Sequence, residues 1–585
     1  MPFGAKLDTY KQGFRERLGA ADALPQLALL GFFAGVVTTL VILLFRWCIE
    51  TALAQFLPHG DPENFEGLSS ALRVALPLGG AAVIAIIWYK LGVVHRKTGI
   101  THVMERLAYH QGYMSVKSLV IQFVAGFLTI VSGQSSGREG PAVHLGSASA
   151  SIMGQYFKLP NNSIRILIAC GTAAAISASF NTPIAGVIFA MEVVLMEYSL
   201  IGFTPIIIAS VTAAFISHAI YGPEPAFFVP QLYLNSPIEI PYILVCALVI
   251  GAASACFVRL TLFSMRLSHV NIASRLMLAG LITATVALIF PEVMGIGYDT
   301  VNLTFTGQIG LMLLIGISVA KLVATATTLG LGMPSGIIGP TLFIGATLGG
   351  ALGVIAQWIM PESASSTGFY AMLGMGAMMG SVLQAPLAAL MALLELTQNP
   401  NIILPGMLAI VASSMFASTT FKQKSIFISL LEAQGLSYTS SPAIRALRSV
   451  SVLAIMDRKF TKATKRIAWS DAKELLRQGP HWIIIQNDAD APAALLPAVD
   501  LVRFMEQHDA NEAPNPEEIA LLEIPAQRRD MQTIYYQATL EEALKTLNEG
   551  STGALLVERD SGGLKRTLGV LTQSDIENYY QYKGN

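Results

Sequence analysis

The chain has 585 residues, 53% of them hydrophobic and only 13% charged, with a mean hydropathy of +0.56. Soluble domains carry about 25% charged residues, so this composition excludes an ordinary soluble protein and points to an integral membrane protein. The net charge of −1 favours no partner by its sign, but residues 441–585, a quarter of the length, hold 17 of the 37 basic and 20 of the 38 acidic residues. A membrane part of residues 27–440 is therefore expected, followed by a soluble one of residues 441–585.

The first 26 residues mix Lys6, Lys11, Arg15 and Arg17 with acids and lack the short apolar core and cleavage site of a signal peptide. They read as a cytoplasmic flank held there by positive charge. Apolar runs follow at about Leu27 to Phe45 and Val74 to Val94, each close to the roughly 20 residues that cross a bilayer core. Between Met114 and Leu200, and again between Ile309 and Leu431, Gly, Pro and Ser cut the apolar sequence into shorter pieces. Irregular backbone at membrane depth survives only when buried in protein or lining a cavity, and helices broken in this way mark transport sites. Cys48, Cys170, Cys246 and Cys256 lie in apolar segments without metal-ligand spacing and read as buried core thiols.

The breaks are organised by a repeat. "GREGPAVHLG" begins at Gly137 and "GIIGPTLFIG" at Gly336, an offset of 199; "NTPIAGVIFAME" ends at Glu192 and "QAPLAALMALLE" at Glu395, an offset of 203 shared by Gly171 and Gly374. Two motifs in one order at nearly one spacing indicate two homologous halves, about 27–220 and 240–435. Pro141 follows Gly140 where a helix begins, because Pro needs no N–H in the first turn. The N–H groups of Gly137, Arg138 and Glu139 are then expected to be free and aimed beyond the helix end, where donors and dipole attract an anion. The second copy adds the backbone donors of Ile337 and Ile338 without a charge. Glu139 at the edge of such a site competes with the anion as a tethered carboxylate, and intramembrane ionisable groups are functional by default. For Arg138 a helix-end salt bridge is the expected role.

These motifs resemble those of the CLC family of chloride channels and proton-coupled chloride exchangers over roughly residues 25–435. The resemblance implies two inverted repeats, a homodimer with a pore in each subunit, and Glu139 as the external gating glutamate. Pro141 fits its chloride-preferring branch. Departures from the family pattern lie in "KTGITHV", where Thr98 replaces the serine that touches the central anion beside Gly99, and Thr101 replaces a proline. Ile338 stands for an aromatic residue, and Phe427 for the inner-gate tyrosine, keeping the ring without the hydroxyl. The anion-binding set implied is Thr98, Gly99, Gly137, Arg138, Gly140, Ile337, Ile338 and Phe427. Exchangers of the family carry an inner glutamate at the position of Val193, and valine carries no proton. Glu192 recurs as Glu395 and reads as a structural helix-end residue, and His144 as a satisfied helix histidine.

The tail repeats an order of helix, strand, strand, helix over about 446–510 and 521–580, with Ser470 and Thr539 as N-caps and Gly562-Gly563 as a hairpin turn. It resembles a tandem CBS pair. Thr572 and Asp575 match the threonine and aspartate that contact a nucleotide ribose; in the first repeat Asp500 remains while Pro497 replaces the threonine. A pair that only packs and a pair that senses an adenine nucleotide are both open.

The fold class expected is an all-α polytopic membrane protein of two inverted repeats with broken helices, followed by an α/β CBS pair. An intramembrane enzyme lacks a G-x-S-x-G or G-x-G-D segment, and a cation channel would offer acidic rings or a carbonyl filter rather than N–H donors. The function expected is a passive chloride channel gated by a pore glutamate and modulated by its tail, with proton-coupled chloride antiport as the alternative. No cofactor is required. The partners expected are chloride, the lipid bilayer and a second copy of the chain, with no nucleic acid. The location expected is a bacterial inner membrane with both termini cytoplasmic.

Overall fold

The computed structural model describes residues 24–583 except 199, 225–226, 228, 230–231, 437–441, 488–490, 511–515, 551 and 562–563. They form two compact units. The first comprises Leu27–Phe157 and Ile164–Tyr438; the second is built on Thr439–Asn585 and includes Lys158–Ser163.

The first unit is entirely helical among the described residues. In chain order it contains α1 (Leu24–Phe56), α2 (Ser70–Lys90), α3 (Gly99–Tyr109), α4 (Val116–Val131), α5 (Glu139–Tyr156), α6 (Asn161–Phe180) and α7 (Pro183–Phe189). α7 runs into a π-helical turn, Ala190–Leu195, and α8 (Leu200–Tyr221) follows. The second half contains α9 (Ile240–Met265), α10 (Ile272–Ile289), α11 (Tyr298–Phe305), α12 (Leu311–Leu331), α13 (Ile338–Ile359), α14 (Thr367–Leu383), α15 (Pro386–Thr397), α16 (Ile403–Thr420) and α17 (Ile426–Ala433). Nine helical stretches among the described residues are long and apolar enough to cross a bilayer, while α4, α7, α14 and α15 are shorter. The first unit thus has the all-α fold of a polytopic membrane protein with interrupted helices.

The sequence repeat is a structural repeat. α5, α6 and α7 correspond to α13, α14 and α15. A Cβ on Gly171 would lie 2.2 Å from the carbonyl oxygen of Gly146, and one on Gly374 would lie 2.2 Å from that of Gly345. Both halves therefore cross the same two helices backbone to backbone, which small residues permit inside a membrane. That close approach explains why Gly171 and Gly374 recur. The other recurring residues, Glu192 and Glu395, exchange between halves. Glu192 accepts from the N–H of Leu387 (3.3 Å) and Ala388 (2.7 Å) at the start of α15, and Glu395 accepts from Ile184 (2.9 Å) and Ala185 (2.7 Å) at the start of α7. Each carboxylate satisfies orphan donors at the N-terminus of the other half's helix.

Two of the cysteines differ from the sequence expectation. Cys170 and Cys246 are buried, but Cys48 is half-buried and Cys256 exposed. Apolar sequence in a spanning helix covers the lipid-facing side as well as the core, so hydrophobic context does not by itself mean protein burial.

The second unit opens with α18 (Pro442–Arg448) and α19 (Val452–Ile455). β1 (Phe460–Thr464) pairs in parallel with β3 (Trp482–Gln486), which pairs antiparallel with β4 (Pro492–Pro497). β2 (Arg466–Ala468) pairs antiparallel with β5 (Glu518–Ala520). α20 (Trp469–Arg477) and α21 (Ala498–Ala510) cover this repeat around Ala472, Ile483, Leu496 and Leu501. The second repeat has the same order: β6 (Met531–Tyr535), α22 (Leu540–Gly550), β7 (Ala554–Ser561), β8 (Leu564–Thr572) and α23 (Gln573–Lys583), with β6 parallel and β8 antiparallel to β7. Ile484, Leu495, Leu556 and Val570 form a further core joining the sheets. Thr539 caps α22, taking the N–H of Glu542 while its own N–H reaches the Glu542 carboxylate. Ser470 caps nothing. α20 starts two residues earlier, with Ala468 at the cap position, and the Ser470 hydroxyl turns to Asp471. The expected Gly562-Gly563 turn lies outside the described residues, between the antiparallel β7 and β8.

Candidate pore site

The two helix breaks face each other. α5 starts after Arg138 and α13 after Ile337, and the residues just before them join in a short antiparallel bridge. The Gly137 N–H donates to Gly336 O at 2.9 Å and the Gly336 N–H to Gly137 O at 3.1 Å. Only glycine permits this approach, since a Cβ on Gly336 would stand 2.4 Å from Gly137 O. The expectation of a free Gly137 N–H is therefore corrected. Repeat symmetry brings the two breaks together and each uses the other's donor. The first-turn donors beyond the bridge, from Arg138, Glu139 and Gly140 on one helix and Ile337, Ile338 and Gly339 on the other, have no intrahelical partner.

Glu139 is fully buried, and its carboxylate lies on the opposite half's helix end. One oxygen accepts the Gly339 N–H at 3.1 Å, and the other accepts the Tyr298 hydroxyl at 2.6 Å. Arg138 does not pair with it. Its guanidinium donates to Ser179 O at 3.0 Å and sits 5.7 Å from the centre of the Tyr298 ring. Among the described residues neither Arg138 nor Glu139 forms an ion pair, so the expected helix-end salt bridge of Arg138 is replaced by a carbonyl contact.

A cavity of about 870 Å³ opens beside this crossing. Thr98, Gly99, Gly140, Ile337 and Phe427 line it together, with Arg96, Lys97 and Arg275 as its cations and Glu105 as its acid. Glu105 is paired with Lys97 at 2.5 Å, so the wall carries surplus positive charge. Gly137, Arg138 and Ile338 are not in this lining. Ile338 instead borders a small apolar pocket with Phe180, Phe189 and Leu342. The structure thus brings five of the eight anion-binding candidates together around one cavity.

Several residues at the site have no counterpart in the sequence reading. Tyr298 holds Glu139 yet sits 159 positions away, and nothing local marks it. Lys321 is fully buried in α12, donating to the carbonyls of Val293 (3.0 Å), Gly295 (2.9 Å) and Ile296 (3.3 Å) and lying 4.6 Å over the Phe343 ring. A single lysine inside an apolar run was a legible signal. Gln122 on α4 accepts the Gly99 N–H at 2.7 Å. His144 is only half satisfied: Nε2 meets the Ser118 hydroxyl at 2.9 Å, Nδ1 is buried without a hydrogen-bond partner, and the ring stacks on His102 at 5.3 Å. This corrects the reading of a satisfied histidine. Val193 is buried in the π-helical turn.

In the second unit, the Thr572 N–H and hydroxyl both donate to Asp575 (2.8 and 2.7 Å), and Asp500 accepts the Gln527 N–H at 3.1 Å. Asp575 thus holds the start of its own helix, while Asp500 ties that of α21 to the distant segment around Gln527.

Comparison with known proteins matches residues 80–418 to the family described as voltage gated chloride channel. The putative chloride channel protein ClcB-like of Ralstonia nicotianae is 29% identical over 398 residues, covering 66% of this chain and 92% of that one. Among solved structures, a slow cyanobacterial Cl−/H+ antiporter superposes with a TM-score of 0.62 at 23% identity, over 70% of this chain and 97% of that one. A eukaryotic CLC transporter superposes with a TM-score of 0.56 at 16% identity, over 94% of this chain and 97% of that one.

Proposed function

We propose that this chain, which belongs to the voltage-gated chloride channel family, conducts chloride passively and is gated by Glu139. The observation that carries the reading is the Glu139 carboxylate resting on the Gly339 N–H, at a helix end suited to an anion. An ion that occupies that end must displace the carboxylate, and neutralising the carboxylate frees it. Glu139→Gln should accordingly raise chloride flux and flatten its dependence on pH. Thr98, Gly99, Gly140, Ile337 and Phe427 are the proposed anion contacts, and the surplus cations of the cavity wall raise the local anion concentration.

Passive conduction rests on Val193, which leaves no carboxylate at the coupling position. A specific observation favours exchange as a second reading: His102 and His144 stack beside the cavity with Glu105, offering titratable groups where Val193 offers none. The likeness to a Cl−/H+ antiporter supports the same reading. Reversal potentials in liposomes under a chloride gradient, with and without an opposing pH gradient, decide between them. A channel reverses at the chloride equilibrium potential whatever the pH difference, and an exchanger shifts with it.

The tail is proposed to be a CBS pair that modulates conduction, with an adenine nucleotide as the candidate ligand at Thr572 and Asp575. A homodimer in a bacterial inner membrane with cytoplasmic termini, working without a cofactor and catalysing no reaction, completes the reading. Nucleotide calorimetry on the protein and on Asp575→Ala, and cross-linking in the membrane, test these parts.

A further inference from the structure

We propose that Tyr298 is a positioning residue for the gate: its hydroxyl latches the Glu139 carboxylate in the anion site, so that chloride must break two hydrogen bonds rather than one. The inference rests on the gating role proposed above for Glu139. The latch joins the two halves, since Glu139 starts α5 in the first repeat and Tyr298 starts α11 in the second.

The donor is held for this contact from several sides. The Tyr298 ring packs edge-on against Phe227 at 4.9 Å and tilted against Phe180 at 6.3 Å, while Arg138 lies over its face. The chain leading into Tyr298 is pinned by Lys321, whose ammonium donates to the carbonyls of Val293, Gly295 and Ile296. On the other side, the Asp299 N–H donates to Glu63 at 3.0 Å. A phenol fixed by so many contacts has little freedom to follow the carboxylate. When Glu139 swings out the hydroxyl stays behind, and the bond is lost rather than carried along. Hydrogen bonds to a charged acceptor are roughly twice as strong as neutral ones, so the latch adds a strong bond to the one from the Gly339 N–H. The charged groups facing this carboxylate are Arg138 beside it and Lys321 on α12, with Glu63 and Asp299 on the flanking segments. None of them is altered by removing the Tyr298 hydroxyl.

Tyr298→Phe keeps the ring and its packing. Its chloride concentration for half-maximal flux should fall about tenfold at neutral pH, the scale of one hydrogen bond to a charged group. The pH profile of flux should change with it. Calorimetric chloride titration in detergent should show the same tightening without relying on transport. Both changes should vanish when Tyr298→Phe is added to Glu139→Ala, which has no carboxylate to latch. If Glu139→Ala alters flux and its pH profile while Tyr298→Phe alters neither, the latch is wrong and the gate stands. A Tyr298→Phe effect that persists at full size in the Glu139→Ala background would assign Tyr298 to packing and overturn the latch. Should Glu139→Ala itself change nothing, the gating role fails, and the latch with it.

Discussion

Two donors meet the Glu139 carboxylate, one phenolic and one from the backbone, and the anion path is set by what else can take their place. Phe427 borders the cavity with a ring that donates nothing. Phe427→Tyr should therefore strengthen chloride binding by about 1.5–3 kcal/mol, the net worth of a hydrogen bond to a charged group, as read by calorimetry; unchanged affinity would remove Phe427 from the anion's contacts. A second expectation concerns the connection between α1 and α2. Burial first, and then the charge of Asp299, pushes the Glu63 and Glu66 carboxyls up to about 7. A carboxyl raised in the folded state contributes stability that is complete below its ordinary value of 4.5 and lost as pH rises through about 7. Glu63→Gln should hence stabilise the protein at pH 8 by about 1–2 kcal/mol and give no gain at pH 4.5. Thermal unfolding in detergent across that range checks it, and a pH-independent difference would count against a titrating Glu63. Glu139 was legible in the sequence because a charge in apolar surroundings stands out. Tyr298 was not, because a tyrosine near a helix start is unremarkable until the fold brings it to a carboxylate.

Helices α7 and α15 each begin with proline and each receive a carboxylate from the other half. This exchange ties the two repeats at the helix level, independently of the Gly137–Gly336 bridge. Glu192→Ala and Glu395→Ala should each cost about 1–2 kcal/mol of stability, the usual loss when an N-terminal acceptor is removed, with selectivity for anions over cations retained. Thermal unfolding paired with liposome flux reads both, and a large cost at one position with none at the other would deny that the caps are equivalent. The recurrence of Glu192 as Glu395 showed that the residue belongs to the repeat. Its partner did not show, because a cap within one helix and a cap across two halves leave the same identities in the sequence.

At the scale of the molecule, both helix breaks, Glu139 and the cavity all lie in the first unit. A chain ending near residue 440 should therefore still select anions over cations in liposomes if it folds, and a folded, non-selective product would assign part of the selectivity to the tail. The membrane class, the two halves and the break points were determined by the sequence alone. Composition reports the solvent around a chain, and glycine and proline report local backbone demands that tolerate few alternatives. The pairing of αβ repeats in the tail was legible for the same reason, as periodicity and turn residues act over short distances. Only the tertiary structure decided which donors remain for an anion. Gly137 uses its N–H on Gly336, Arg138 turns to Ser179, and Tyr298 and Lys321 arrive from far along the chain. Those outcomes depend on which segments the repeat symmetry brings face to face, and hydrogen bonds between distant segments leave no periodic trace in the sequence that makes them.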